Sequence, residues 1–186
     1  MRALETERLL LRPFTEDDLD ALFAMQSHPE VTRWLPWGPR DRDEVRAALE
    51  KKLKSSPLRE DGDAVSLAVV LKSSSEVIGD GSLWLVSAED RLGEVGYLFH
   101  PDHYGRGYAT ETTRRLLQLA FEEFRLHRVV GRLEPRNGAS ARVLEKAGMR
   151  LEAHFVENEL IKGEWQSELV YAMLDREWRA QATANA

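Results

Sequence analysis

The sequence predicts an α+β fold, a mixed sheet of about seven strands with about four helices packed on it. Three observations predict it. Short apolar runs bounded by turn residues recur along the chain and read as strands. Between them lie segments with apolar residues at helical spacing, the strongest over Tyr108 to Phe124. Finally, 186 residues with a 42% hydrophobic and 31% charged composition form an ordinary globular chain, long enough to bury one core without staples. The expectation is one domain over residues 1–179 and a tail over residues 180–186.

Leu9-Leu10-Leu11 is a short strand stopped by Pro13. Thr15 offers an N-cap with Asp18 three residues on, and Leu19, Leu22 and Phe23 keep helical spacing to Gln26. Ser27 to Arg40 contains His28-Pro29, Leu35-Pro36-Trp37 and Gly38-Pro39 and reads as a loop or broken helix. A second helix spans Asp43 to Leu53, with Val45, Leu49 and Leu53 on one stripe. Ser55 to Asp63 is a polar loop. Val65 to Leu71 and Val77 to Val86 are strands joined by the turn Lys72 to Glu76. Gly93 to Phe99 is another strand, ended by Pro101. The Tyr108–Phe124 helix follows, with Arg125, His127 and Arg128 where cations suit the negative end of its dipole. Arg128 to Leu133 is a strand closed by Pro135 and the Asn137-Gly138 turn. Ala139 to Ala147 is a short helix with Gly148 just past its end. Two strands, Leu151 to Asn158 and Trp165 to Leu174, complete the order β-α-α-β-β-β-α-β-α-β-β.

The composition excludes several functions. A net charge of −6 disfavours broad nucleic-acid binding, which needs a concentrated basic face. With no cysteine, thiolate metal sites, disulfide scaffolds and a cysteine nucleophile are ruled out. No apolar stretch approaches the ~18 residues of a membrane span. Met1 to Arg8 carries acids where a signal peptide has its apolar core, so the expected location is the cytoplasm. His100 and His103 lack a third ligand or a metalloprotease motif, so no metal is expected.

One segment is rich in chemistry: His100-Pro101-Asp102-His103-Tyr104-Gly105-Arg106-Gly107-Tyr108-Ala109-Thr110, between a strand and the best helix. Gly105 and Gly107 permit a tight turn and close approach of a ligand to the backbone. The first helical turn presents N–H groups at the positive end of a dipole, the general arrangement for holding phosphate. Arg106 adds a possible charge-assisted contact. The Walker pattern is absent, and Thr110 stands where a dinucleotide fingerprint has its third glycine. On spacing alone, a phosphate cradle and a plain glycine turn are both open.

Gly105-Arg106-Gly107-Tyr108-Ala109-Thr110-Glu111 resembles the acetyl-CoA pyrophosphate loop of the GCN5-related N-acetyltransferases (GNAT), most closely the branch with the ribosomal-protein N-terminal acetyltransferases. Thr6 to Arg12 resembles the opening strand of that branch, and Glu94-Val95-Gly96-Tyr97 its central strand. Asn137-Gly138-Ala139-Ser140, with Leu144 to Met149, resembles its last helix. The resemblance implies a mostly antiparallel sheet with one parallel, splayed pair. It also implies acetyl-CoA as donor and a primary amine as acceptor, either a protein N-terminal α-amine or a small-molecule amine such as an amino acid, polyamine or antibiotic; the alternative is a module that keeps the CoA cleft without transfer chemistry. Family members are often dimers, so a homodimer is implied as well. Where the family loop often begins with Gln or Arg, this chain has Tyr104.

By the same resemblance, the main chain at Tyr97, Leu98 and Phe99 runs beside the pantetheine arm, the amides from Gly105 to Thr110 hold the pyrophosphate, and Tyr104 belongs to the same cofactor-binding loop. Asn137 contacts the arm, and Ser140 is the proton donor to the leaving thiolate; as bland alternatives, the two form a turn and an N-cap. Glu94 is the candidate base, on one strand face with Gly96, whose missing side chain leaves room for substrate. The N–H of Leu98 is the candidate oxyanion donor. Trp34 and Trp37 either shape the acceptor pocket or anchor their loop to the core.

Overall fold

The computed structural model describes residues 2–54 and 57–184; Ser55 and Ser56 of the expected polar loop lie outside the described residues. In chain order the elements are β1 (Leu4–Glu5), β2 (Leu9–Pro13), α1 (Leu19–Gln26), α2 (Pro29–Thr32), α3 (Arg42–Leu53), β3 (Ala64–Leu71), β4 (Glu76–Ser87), β5 (Leu92–Phe99), α4 (Tyr108–Gln118), β6 (Arg128–Leu133), α5 (Gly138–Lys146), β7 (Arg150–Ile161), β8 (Glu164–Leu174) and α6 (Asp175–Ala184). The strands form one sheet in the order β1-β2-β3-β4-β5-β6-β8-β7. Every neighbouring pair is antiparallel except β5 and β6. Those two pair only through Leu92↔Arg128, Gly93↔Val129 and Glu94↔Val130, and then part. The parallel, splayed pair is therefore present, and it places a gap in the middle of the sheet.

Local chemistry explains where the helices start. Asp41 accepts from the N–H groups of Asp43 and Glu44, and Glu44 accepts from that of Asp41, so a capping box opens α3 at Arg42. Thr15 and Asp18 form a second box, but it opens a single 3-10 turn, Glu16–Asp18, ahead of α1. Asp18 is buried there, and Arg12 grips both its oxygens at 2.7 Å. The long helix expected to Phe124 is α-helical to Gln118 and continues as a π turn over Leu119–Glu123.

The sheet lies between two helical layers. On one face α1 and α3 bring Leu22, Met25, Val45 and Leu49 against Phe14 and Ala68. On the other, α4, its π turn and α5 bury Leu116, Leu117, Phe121 and Leu144 against the odd-numbered residues of β3 and β5. Each large aliphatic side chain so buried contributes roughly 1.5–3 kcal/mol.

Three details refine the expected fold. The sheet has eight strands, because Leu4–Glu5 pairs with Leu10 and Leu11 to form a short edge. The Ser27–Arg40 segment is the broken-helix alternative: it contains α2, which starts at Pro29 with His28 Nδ1 accepting from the N–H of Glu30. The segment read as a tail from Ala180 continues α6 to Ala184; this helix is held by Trp178, which stacks on Phe121 at 6.0 Å and donates to Glu122 at 3.1 Å.

Candidate active site

The gap between β5 and β6 opens into a cleft of about 1380 Å³. Its walls bring together Glu94, Tyr97, Leu98, Phe99, Tyr104, Gly105, Gly107, Tyr108, Ala109, Thr110, Asn137, Ser140, Trp34 and Trp37, predicted from segments more than a hundred residues apart. Arg106 is exposed and does not line it.

The glycine-loop end of the cleft is built from main chain. Gly105 and Gly107 have φ of +73° and +83°, a region that strains any residue with a β-carbon. Gly107 caps α4, and the first intrahelical bond runs from the N–H of Glu111 to the Gly107 carbonyl. Among the described residues, no protein acceptor takes the N–H groups of Gly105, Arg106, Gly107, Tyr108, Ala109 or Thr110. Six main-chain donors are thus left without a protein acceptor at the positive end of a helix, a setting that fits a pyrophosphate. Tyr104 adds no donor, because its N–H is bonded to the Pro101 carbonyl at 3.0 Å.

Arg8, whose role the sequence reading did not single out, braces this loop. Its Nη1 donates to the Arg106 carbonyl at 2.9 Å, its Nε donates to Glu111 at 2.8 Å, and its guanidinium lies 4.7 Å over the Tyr108 ring. Glu111 also accepts from the Thr6 hydroxyl at 2.6 Å and the Arg8 N–H at 2.9 Å. Burial alone would raise the Glu111 carboxyl, but these bonds outweigh it and hold the group below its ordinary range.

The strand lip follows from register. The N–H of His100 donates to Ile78 on β4, and opposite residues along β4 and β5 are Gly79↔Phe99, Asp80↔Leu98, Gly81↔Tyr97 and Ser82↔Gly96. Main-chain groups alternate sides along a strand. Leu98 therefore turns its N–H toward β4, as His100 does, while Tyr97 and Phe99 turn theirs toward the gap that β6 has left. The candidate oxyanion donor moves from Leu98 to Tyr97. Two alternate residues with free N–H and C=O groups suit an amide-bearing arm lying along the strand.

Glu94 stands where the strands part. Its Oε2 is 3.2 Å from Arg132 Nε, and Arg132 Nη1 holds Glu168 at 2.8 Å. Burial pushes the Glu94 carboxyl up; Arg132 opposes this, while Glu168 and Glu159 add to it, and the balance stays above the ordinary value. The space over Gly96, expected to admit substrate, is filled: the indole of Trp84 lies 2.8 Å from where a β-carbon would stand. Neither Arg132 nor Trp84 was visible in the sequence, because each reaches the site only through strand pairing.

The remaining candidates line the cleft and also make contacts within the protein. Asn137 lines the cleft, yet its Oδ1 accepts from the Ser140 N–H at 3.2 Å and caps α5. The Ser140 carbonyl accepts from the Tyr97 hydroxyl at 3.3 Å. Burial drives that phenol up to about 12, so it keeps its proton and its bond. Trp34 and Trp37 face the cleft and carry arginines on their rings. His100 Nδ1 accepts from the Asp102 N–H, a turn-capping role.

Comparison with known proteins agrees with this geometry. The acetyltransferase (GNAT) domain family matches residues 8–150. The uncharacterized N-acetyltransferase YnaD of Bacillus subtilis (strain 168) is 30% identical over 175 residues, covering 94% of this chain and 98% of its own length. The crystal structure of an acetyltransferase (GNAT family) from Bacillus anthracis matches with a TM-score of 0.86 at 28% identity, covering 94% of this chain and 99% of that one. Spermidine N-acetyltransferase from Vibrio cholerae, solved with CoA and spermine, shares the fold with a TM-score of 0.80 at 20% identity, covering 94% and 99% of the two chains. The family match runs through the glycine cradle, the parted strands and α5 together, and the chain belongs to the GNAT family as an acetyl-CoA-dependent N-acetyltransferase.

Proposed function

We propose that this enzyme acetylates the α-amine of a protein or peptide N-terminus. Acetyl-CoA supplies the activated acetyl group, which a neutral amine takes by direct attack. The N–H groups of Gly105 to Thr110 hold the pyrophosphate, and those of Tyr97 and Phe99 the arm. The Tyr97 N–H also faces the carbonyl oxygen on which negative charge develops. Ser140 donates a proton at the sulfur, and Asn137 fixes the turn that presents it.

The observation that carries the acceptor class is the setting of Glu94. An α-amine has a pKa of ~7.7–8.0, against ~10.4 for a lysine side chain. A carboxylate acting through a water is better matched to the weaker base, whose proton is the easier to take, and burial with acidic neighbours narrows the remaining gap. Trp34 and Trp37, at the α2 side of the cleft, are assigned to the acceptor pocket. Acetyl-CoA incubated with N-terminal peptides, Nα-blocked lysine peptides and small amines, with free thiol followed, tests the reading. Release with the free α-amine and little with blocked lysine is expected; release only with small amines would replace the proposed acceptor.

The free edge of the sheet supports the homodimer. On β7, Val156 and Leu160 are 71% and 61% exposed, and Trp165 on β8 is 63% exposed. An uncovered apolar edge of this kind seeks a partner. Sedimentation of the wild type as a dimer and of Val156→Asp as a monomer is expected, and a monomeric wild type would remove the assignment.

A further inference from the structure

Three tryptophans line the cleft, and two are already stacked with cations. The Trp34 ring has Arg33 at 4.6 Å and Arg136 at 5.7 Å, and Arg40 lies 3.8 Å over Trp37. Among the described residues, no guanidinium or ammonium lies over Trp84, which remains 39% exposed on the cleft floor. One side of that indole is seated. A β-carbon on Gly96 would come within 2.8 and 2.9 Å of its Cζ3 and Cη2, so the ring meets the bare backbone of β5 with this edge.

The surroundings are acidic. Trp84 is directly opposite Glu94 in the ladder between β4 and β5. Glu159 and Glu168 line the same cleft, and Arg132 is the cation set between Glu94 and Glu168. Three carboxylates against one guanidinium leave this strand wall net negative; from α3, Lys51 also lines the cleft, and Lys52 is paired with Asp80 at 2.6 Å. An attacking nitrogen must be neutral when it reacts; Glu94 serves it as the base, but Glu159, Glu168 and an exposed indole do not. They serve a second nitrogen that stays charged, which an indole face and carboxylates hold together.

We propose that Trp84, seated on Gly96, is a specificity-determining platform for a second cationic group of the acceptor, an ammonium or guanidinium carried beyond the amine that reacts. This deepens the acetyl-transfer reading and rests on it. The shared chemistry is an amine with an added cation, and it has two sources, a small diamine or a peptide whose second residue is basic.

The experiment compares matched probes on the CoA-loaded enzyme. One arm sets 1,5-diaminopentane against pentylamine. The other sets Ala-Arg amide against Ala-norleucine amide. Binding is read by calorimetry and transfer by thiol release. The wild type is expected to prefer the doubly charged probe at least tenfold in one arm, and that arm identifies the source. Trp84→Leu and Gly96→Ala should each bring the ratio close to one, with Trp84→Phe restoring part of it. Unchanged CoA affinity shows that a variant is folded. No preference in either arm, or a preference that survives Trp84→Leu or Gly96→Ala, overturns the platform. A Trp84-dependent binding preference without transfer to any probe would leave the platform standing and overturn the proposed acceptor class instead.

Discussion

Glu94 shows what one residue gains from its neighbours. A lone strand carboxylate at neutral pH is a weak base; burial and the nearby Glu168 make it stronger, and Arg132 keeps the increase in check. Glu94→Gln should lower kcat roughly a hundredfold, within the usual range for a general base. Acetyl-CoA affinity, measured by calorimetry, should stay unchanged; unaltered kcat would remove Glu94 from the reaction. The pH profile carries a sign. The working form is the carboxylate, so kcat/KM rises with pH, and its acid limb lies above the ordinary glutamate value of 4.5. Arg132→Gln removes the cation that lowers this carboxyl, so the limb should move to higher pH. A limb that stays put or moves down would show that Arg132 does not govern the group.

Among the elements, α4 and its entry loop show the clearest link between sequence and site. Gly105 and Gly107 were readable because only backbone geometry is asked of them, and both adopt the left-handed region. Gly107→Trp should weaken acetyl-CoA binding at least tenfold, from backbone strain and from an indole pressed on Arg8, whose Nη2 is 3.4 Å from the would-be β-carbon. Glu111→Ala should also weaken binding, several-fold, because it releases the Arg8 brace that holds the loop. Calorimetry on folded variants tests both, and equal affinity in Glu111→Ala would mean that the loop holds its shape unaided. Other parts were not legible, for physical reasons. Two residues, Leu4 and Glu5, carry no periodicity and become a strand only through the partner β2. The four residues of α2 are too few for a stripe, although His28-Pro29 is an N-cap followed by proline at N1. Which N–H groups of β5 face the gap depends on β4, so the sequence alone put the oxyanion donor at Leu98 and not at Tyr97. Past Ala180 the alanine-rich sequence of α6 offers no core pattern, and the helix is anchored by Trp178 ahead of it.

At the scale of the whole molecule, several carboxyls are held below their ordinary values by partners from other elements. In Asp18 and Glu111 burial works the other way but is outweighed by bonds from Arg12 and Thr15, and from Thr6 and Arg8. Glu152, hydrogen-bonded by Arg128 and Arg150, lies at about 2. A group depressed in the folded state adds stability above its unfolded pKa and loses it as pH falls toward the folded value. Tm should therefore be level near neutrality and drop from about pH 5 toward pH 2; Glu152→Gln should flatten the lower part of that drop, and an unchanged curve would sink the attribution. One last consequence belongs to the three-residue pairing of β5 with β6. A sheet stitched across its middle by so few rungs is two wings on a short spine, and whatever spans the opening binds to both. The coenzyme would then act as a missing ninth strand, so saturating it a hundredfold over Kd should add about 2.7 kcal/mol to the cost of unfolding.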